Sequence, residues 1–319
     1  MVCHRCQINA FKFGFHKGFQ RYRCRQCRKT FSDIPTRPLD LLRVEPEKAF
    51  QVVSLLCEGV GIRAAERLTG LNRRTVLNVL RVAGQKCKSL LDEKLRGLKV
   101  EQVQIDEIYS FVHCLQQNTT PDHPVFGDQY TFLAMERNTK LILHWLVGKR
   151  DKENALTFLR GLKARLADER FQLTSDGFAP YCGEVGGVFK VFRERVDYGS
   201  EIKHFASNSQ NLPGKGNRRS NPVVCQWIKR RAHIGDPDYQ NMTVNHAERM
   251  NLSIRLFNRR FTRKTMGFSK KLMNHKFSVA LEVAHFNFCR KHGALGTTPA
   301  MAAGLADHVW TVGELLSSV

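Results

Sequence analysis

Three carboxylates and four thiols are the side chains with chemistry to offer. Asp106 lies inside QIDEIYSFV, Asp176 closes RFQLTSD, and Glu248 opens the arginine-rich run NHAERMNLSIRLFNRR. Carboxylate oxygens suit hard cations such as Mg2+. Two such ions about 4 Å apart activate an attacking oxygen and stabilise the leaving one in phosphoryl transfer. Glu248 stands out because helical charge pairs form at i+3 or i+4, and Asn251, Leu252, Asn245 and Val244 occupy those spacings. Each carboxylate also has an ordinary use. Asp106 and Glu107 point to opposite faces of a strand, so alternation selects neither. Asp176 before Gly177 suits a turn, and Glu248 suits an ion pair with Arg255 or with a distant cation.

The thiols fall into a spaced set. Cys3-x2-Cys6 is followed after 17 residues by Cys24-x2-Cys27, a spacing that reads as a structural Zn2+ site with a four-thiolate shell. Phe11, Phe13 and Phe15 alternate between the pairs, as one face of a strand does. A module of residues 1–33 is too small to fold on its own core without such a staple. The remaining six cysteines are scattered singly, as reduced thiols in the cytosol commonly are.

The elements that must position these groups follow from composition and pattern. The chain has 319 residues, a net charge of +22 and a pI near 9.9, which suits a polyanionic partner, nucleic acid first and an anionic membrane second. No apolar run spans a bilayer and no secretory signal opens the chain, so a cytoplasmic protein without a membrane partner is expected. Prolines 35, 38 and 46 mark residues 34–46 as a linker. Residues 47–93 read as three short helices over 47–57, 62–69 and 73–91, with Asn72 as an N-cap. Their spacing fits a helix-turn-helix with Arg73, Arg74, Asn78 and Arg81 facing DNA, or a plain three-helix bundle with a basic face.

From residue 100 the pattern is mixed α/β. VEQVQIDEIYSFV, QYTFLAME and KLILHWLVG form a meander, KENALTFLRGLKARLADE a helix, and RFQLTSD a further strand. Residues 203–245 read as an insertion with basic contacts from Lys215, Arg218, Arg219, Lys229, Arg230 and Arg231. On the helix after 246, Met250, Ile254, Phe257 and Phe261 form a stripe for burial. Glu248, Arg255 and Arg259 lie opposite, with Asn251 beside them. Arg260, Arg263, Lys264, Lys270 and Lys271 extend a positive track suited to a DNA backbone.

With these residues in view, the chain resembles transposases of the insertion-sequence-one family, within the DDE group. CHRC…RYRCRQCRKTFSD, QIDEIYSFV, LTSDGFAPY, the run from Ile234 to Lys271, and HFNFCRKHGALGTTPAMAAGL carry the resemblance over nearly the whole chain. It implies a zinc ribbon, a helix-turn-helix domain, an RNase H-like mixed sheet flanked by helices over 100–290, and a C-terminal tail over 291–319. It also implies Asp106, Asp176 and Glu248 as catalytic ligands of Mg2+ or Mn2+, and a nucleoid-associated enzyme of a prokaryotic cell. Such an enzyme binds double-stranded DNA at element terminal repeats, cleaves it, and uses the freed 3′-hydroxyl to attack target DNA. Two ends held together imply a homodimer or higher oligomer. The spacing of 72 positions from Asp176 to Glu248 (176 to 248) is long for that family. A non-catalytic, sequence-specific DNA-binding protein is the alternative reading.

Overall fold

The computed structural model describes residues 1–3, 6–16, 19–32, 42, 44–182, 186–205, 225–262 and 265–317. At the N-terminus, β1 (Phe11–His16), β2 (Phe19–Arg23) and β3 (Thr30–Ser32) form a three-stranded antiparallel sheet in the order β1-β2-β3. The phenylalanine alternation does mark a strand, but every residue of β1 is exposed, and a bulge between Lys12 and Phe15 sets Phe15 opposite Gln20 rather than on the face of Phe11. A sheet this small has no second layer against which to bury that face.

Three helices follow: α1 (Pro46–Cys57), α2 (Ile62–Thr69) and α3 (Arg73–Lys94). Gly70, left-handed at φ +70°, closes α2. Asn72 then caps α3, accepting the Arg74 N–H at 2.9 Å, while the Glu66 carboxylate accepts the Arg73 N–H at 2.9 Å. Their bounds fall close to the expected 47–57, 62–69 and 73–91.

The larger sheet has six strands: β4 (Gln102–Val112), β5 (Gly127–Glu136), β6 (Ile142–Gly148), β7 (Phe171–Ser175), β8 (Val196–Phe205) and β9 (Cys225–Ile234). Their order is β6-β5-β4-β7-β8-β9, with β4, β7 and β8 mutually parallel and the other pairings antiparallel. This mixed sheet, flanked by helices, is compatible with an RNase H-like domain. One face carries α4 (Lys152–Lys163) and α5 (Gly187–Phe192). The other carries α6 (Asn245–Phe257), with α7 (Leu272–Phe288) against β6. Asn287 of α7 bonds both the N–H and the C=O of Ile142, at 3.0 and 2.9 Å, and so occupies main-chain groups on edge strand β6.

Several expected boundaries shift. The helix after β6 ends at Lys163 rather than running to Glu169, because the Arg165 carbonyl and the Ala167 N–H turn to pair with Leu98, at 2.9 and 2.8 Å. Residues 203–245 are not simply a connection: they contain the end of β8 and all of β9, whose pairing lies too far along the chain for a local pattern to register. Lys215, Arg218 and Arg219 lie outside the described residues. The helix carrying Glu248 stops at Phe257, where Asn258 turns extended, and Arg259 to Phe261 form a separate 3-10 turn.

The segment after residue 290 packs back onto the fold. Its helices are α8 (Pro299–Ala302) and α9 (Val312–Ser317), and α9 buries Leu315 and Leu316 against α1, α3 and α7. No helix among the described residues is long and apolar enough to cross a membrane.

Candidate metal centre and nucleic-acid interface

Strand alternation directs Asp106, in mid-β4, toward α6 and its neighbour Glu107 toward the α4–α5 face. Asp176 follows the last residue of β7, where the parallel strand ends beside β4. The three carboxylates converge nonetheless, with one oxygen from each within 4.8 Å of the others. Asp176 also serves the turn: one of its oxygens accepts the Phe178 N–H at 3.0 Å, and Gly177 follows at φ +87°. Its side chain remains 38% exposed while that of Glu107 is 2% exposed, so the cluster opens to solvent on the Asp176 side.

Glu107 is fully engaged. It accepts a 2.5 Å hydrogen bond from the Tyr181 hydroxyl and a 3.0 Å ion pair from Arg150. The same guanidinium reaches Asp176 at 3.5 Å and lies 3.9 Å over the Phe178 ring. Burial, then the charge of Asp176, pushes the Glu107 pKa up, while Tyr181 and Arg150 oppose the shift. Asp106 is pushed up to about 7 by burial first and then by Asp176, against the stabilising Glu107 N–H, with Glu107 and Glu248 adding to the rise.

Glu248 sits outside the 4.8 Å cluster but close enough for its charge to act on Asp106. The elements explain the placement. Gln104, on the same face of β4 as Asp106, accepts the N–H groups of His246 and Ala247 at 3.1 and 3.0 Å and so pins the first turn of α6. Asn251, one turn on, donates to Asp106 at 2.7 Å. Glu248 lies between those two anchors in sequence. It has no helical partner but does have a tertiary one: Lys203 of β8 contacts it at 2.5 Å and Asn245 at 2.7 Å. Asn251 is 3% exposed and belongs to this centre rather than to a surface track.

Oxygen donors alone make up the acidic centre, as a hard divalent cation requires. Beside it, the buried Asn251 Oδ1 has no hydrogen-bond partner among the described residues. These residues fit Mg2+ or Mn2+.

The cysteine set also fits its expected ion. One sulfur from each of Cys3, Cys6, Cys24 and Cys27 lies within 4.8 Å of the rest. The Cys3–Cys27 sulfurs are 3.7 Å apart, close to the edge of about 3.8 Å that a zinc–sulfur bond of about 2.3 Å sets in a tetrahedron. The two knuckles repeat each other. Gln7 and Arg28 are both left-handed, and their N–H groups bond the Cys3 and Cys24 carbonyls at 2.9 and 3.0 Å.

Of the expected DNA contacts, Arg73, Arg74, Asn78 and Arg81 are exposed on α3, as are Arg259, Lys270 and Lys271 beyond α6. Arg255 is half-buried, and Arg260 is turned inward to Ser269 and Ser278. Arg263 and Lys264 lie outside the described residues. Lys229 and Arg231 are exposed on β9, whereas Arg230 pairs with the buried Glu201 at 2.9 Å. A groove of 980 Å³ joins the α2–α3 corner to residues 259–274. It is lined by Arg63, Arg67, Arg73, Arg259 and Lys270, with no acidic residue among the described lining.

No family model matches the chain, and no curated protein matches it. Among solved structures it is similar to a piggyBac transposase in a synaptic complex with hairpin DNA. The TM-score is 0.43 and the identity 9%, covering 89% of this chain and 72% of that one.

Proposed function

We propose that the chain is a DDE-type DNA transposase of the insertion-sequence-one kind. It binds the ends of a mobile element, hydrolyses a phosphodiester bond, and joins the freed 3′-hydroxyl to target DNA. The observation that carries this reading is the convergence of Asp106, Glu107 and Asp176 on a chain of net charge +22. Asp106 and Asp176 hold Mg2+ or Mn2+, with Glu248 as the third ligand. Bound there, such ions would activate an attacking oxygen and stabilise the leaving one.

The protein's own groups do the rest. Asp106, whose pKa burial pushes up to about 7, would hold the cation as its carboxylate. Asn251 orients its carboxylate. Glu107 and Arg150 form the wall that fixes Asp176. Arg73, Arg74, Asn78 and Arg81 meet the element end, and Arg259, Lys270 and Lys271 carry its backbone toward the acids. The four cysteines hold zinc in the N-terminal module. Two ends require at least a homodimer.

Asp106→Asn and Glu248→Gln keep shape and remove charge. Each is expected to lower magnesium-dependent cleavage and joining of element-end DNA by about a thousandfold. Wild-type rates in both variants would overturn the assignment. The ion pairs of Glu248 with Lys203 and of Glu107 with Arg150 favour a second reading, a non-catalytic DNA-binding protein. That protein binds the same ends but shows no magnesium-dependent cleavage even as wild type.

A further inference from the structure

Residues 1–32 contain eight Lys and Arg and no Asp or Glu. Within them, β1 presents an aromatic face that the expected zinc site does not explain. Phe11 and Phe13 are 39% and 40% exposed. Phe11 and Phe13 pack edge to face with centroids 6.3 Å apart. Guanidinium groups stand over both rings: Arg23 and Arg21 are 5.1 and 5.7 Å from the Phe13 centroid, and Arg25 is 5.7 Å from that of Phe11. Phe11 pairs with Arg23 in register, so the Phe11 and Phe13 rings share one face with the cations, whereas Phe15 pairs with Gln20 beyond a bulge and lies on the other face. The module uses its other aromatics differently: Tyr22 and Phe31 stack on each other at 6.1 Å and are half-buried.

We infer that this face is a stacking platform for unpaired nucleotides of a single-stranded nucleic acid. Phenylalanine rings and guanidinium planes both stack on nucleobases, while the guanidinium charge also meets phosphates. A paired duplex hides its base faces in its own stack and offers only edges and backbone, so an aromatic face selects unpaired bases. A second copy of the same module would bring eight like charges against eight, which disfavours self-association through this face. The inference does not rest on the acidic centre: single-strand binding is expected to persist in Asp106→Asn.

The test uses the zinc-loaded full chain and fluorescence anisotropy with labelled oligothymidylate of about 12 nucleotides, matched oligouridylate, and a duplex of equal length. Phe13→Ala is expected to raise Kd for the single strands about tenfold, and Phe11→Ala with Phe13→Ala further. Duplex affinity should change less than about twofold, and Phe13→Trp should retain single-strand binding. Equal weakening on duplex and single strands, or none on either, overturns the proposal. So does a wild-type dimer in sedimentation that Phe13→Ala dissociates. Photocrosslinking of a 5-iodouridine strand to the wild-type chain needs no substitution. Crosslinks within residues 11–25 support the platform, and crosslinks only elsewhere refute it. The uridylate and thymidylate arms distinguish RNA from DNA.

Discussion

Burial and neighbouring carboxylates act on Asp106 in one direction, holding its pKa near 7 because each disfavours another negative charge. An acid whose folded pKa lies above its unfolded value binds more protons when folded, so its contribution to stability falls as pH rises between the two. For Asp106 that window runs from the ordinary aspartate value near 4 to about 7. Asp106→Asn is therefore expected to melt a few degrees above wild type at pH 8, with the gap closing by pH 4. Circular dichroism melts across that range check it, and a gap that does not close sinks the account. Magnesium at pH 8 should raise the wild-type Tm by mass action and leave the Asn variant unmoved. Lys203 supplies a related test. Its ammonium contacts Glu248 at 2.5 Å and Glu201 at 3.9 Å, offsetting their charge. Lys203→Met should lower Tm without divalent cation and tighten Mn2+ binding severalfold by calorimetry. Unchanged affinity would place Glu248 outside the metal centre.

Between elements, a close approach of backbone to backbone joins α3 of the helical unit to α7. A Cβ on Gly84 of α3 would lie 2.5 Å from both the Phe277 Cβ and its carbonyl oxygen on α7. Alanine gains about 1 kcal/mol of helix propensity over glycine, but overpacking costs about 1–3 kcal/mol, and backbone is the atom least able to yield. Gly84→Ala should therefore lose about 1–2 kcal/mol in urea unfolding, while Gly293→Ala, with open space around it, should be near neutral. What was legible in the sequence divides along the same line between local and distant. Asn72 announces the start of α3 because a cap depends on a few adjacent residues. The β4–β5–β6 meander and the strand ending before Asp176 were likewise written in local alternation. Strand β9 pairs with residues 20 to 36 positions earlier, and the Lys203–Glu248 pair, the Gln104 cap on α6 and the Arg150 bridge reach further still, as in Arg150–Glu107 at 43 positions and Gln104–His246 at 142. No period or spacing reports such pairings. Glu248 seemed solitary for that reason: its cation comes from another element.

Across the whole molecule, stability has two separate sources. The contiguous buried core runs from Ala49 in α1 to Leu316 in α9 and includes both helical layers and the large sheet. None of the described residues of 1–32 belongs to it. Their fully or nearly buried side chains are Cys3 and Cys24, at 3% and 0% exposure, and their aromatic strand faces solvent. So small a module would draw its folding free energy from the zinc ion that we propose its sulfurs hold. Cysteine chemistry points the same way: desolvation, reinforced by Cys27 and Cys24, pushes the Cys6 thiol up to about 12, and a bound divalent cation reverses that by favouring thiolate. Chelation should then act on one part of the chain only. Trypsin is expected to cut rapidly at the arginines and lysines of residues 1–32 once zinc is removed, and amide protection there should vanish. The main thermal transition, carried by the core from Ala49 onward, should move by no more than about 1 °C. A large fall in that transition would mean that the module braces the core. Undiminished protection of residues 1–32 after zinc removal would mean that the four cysteines do not staple it.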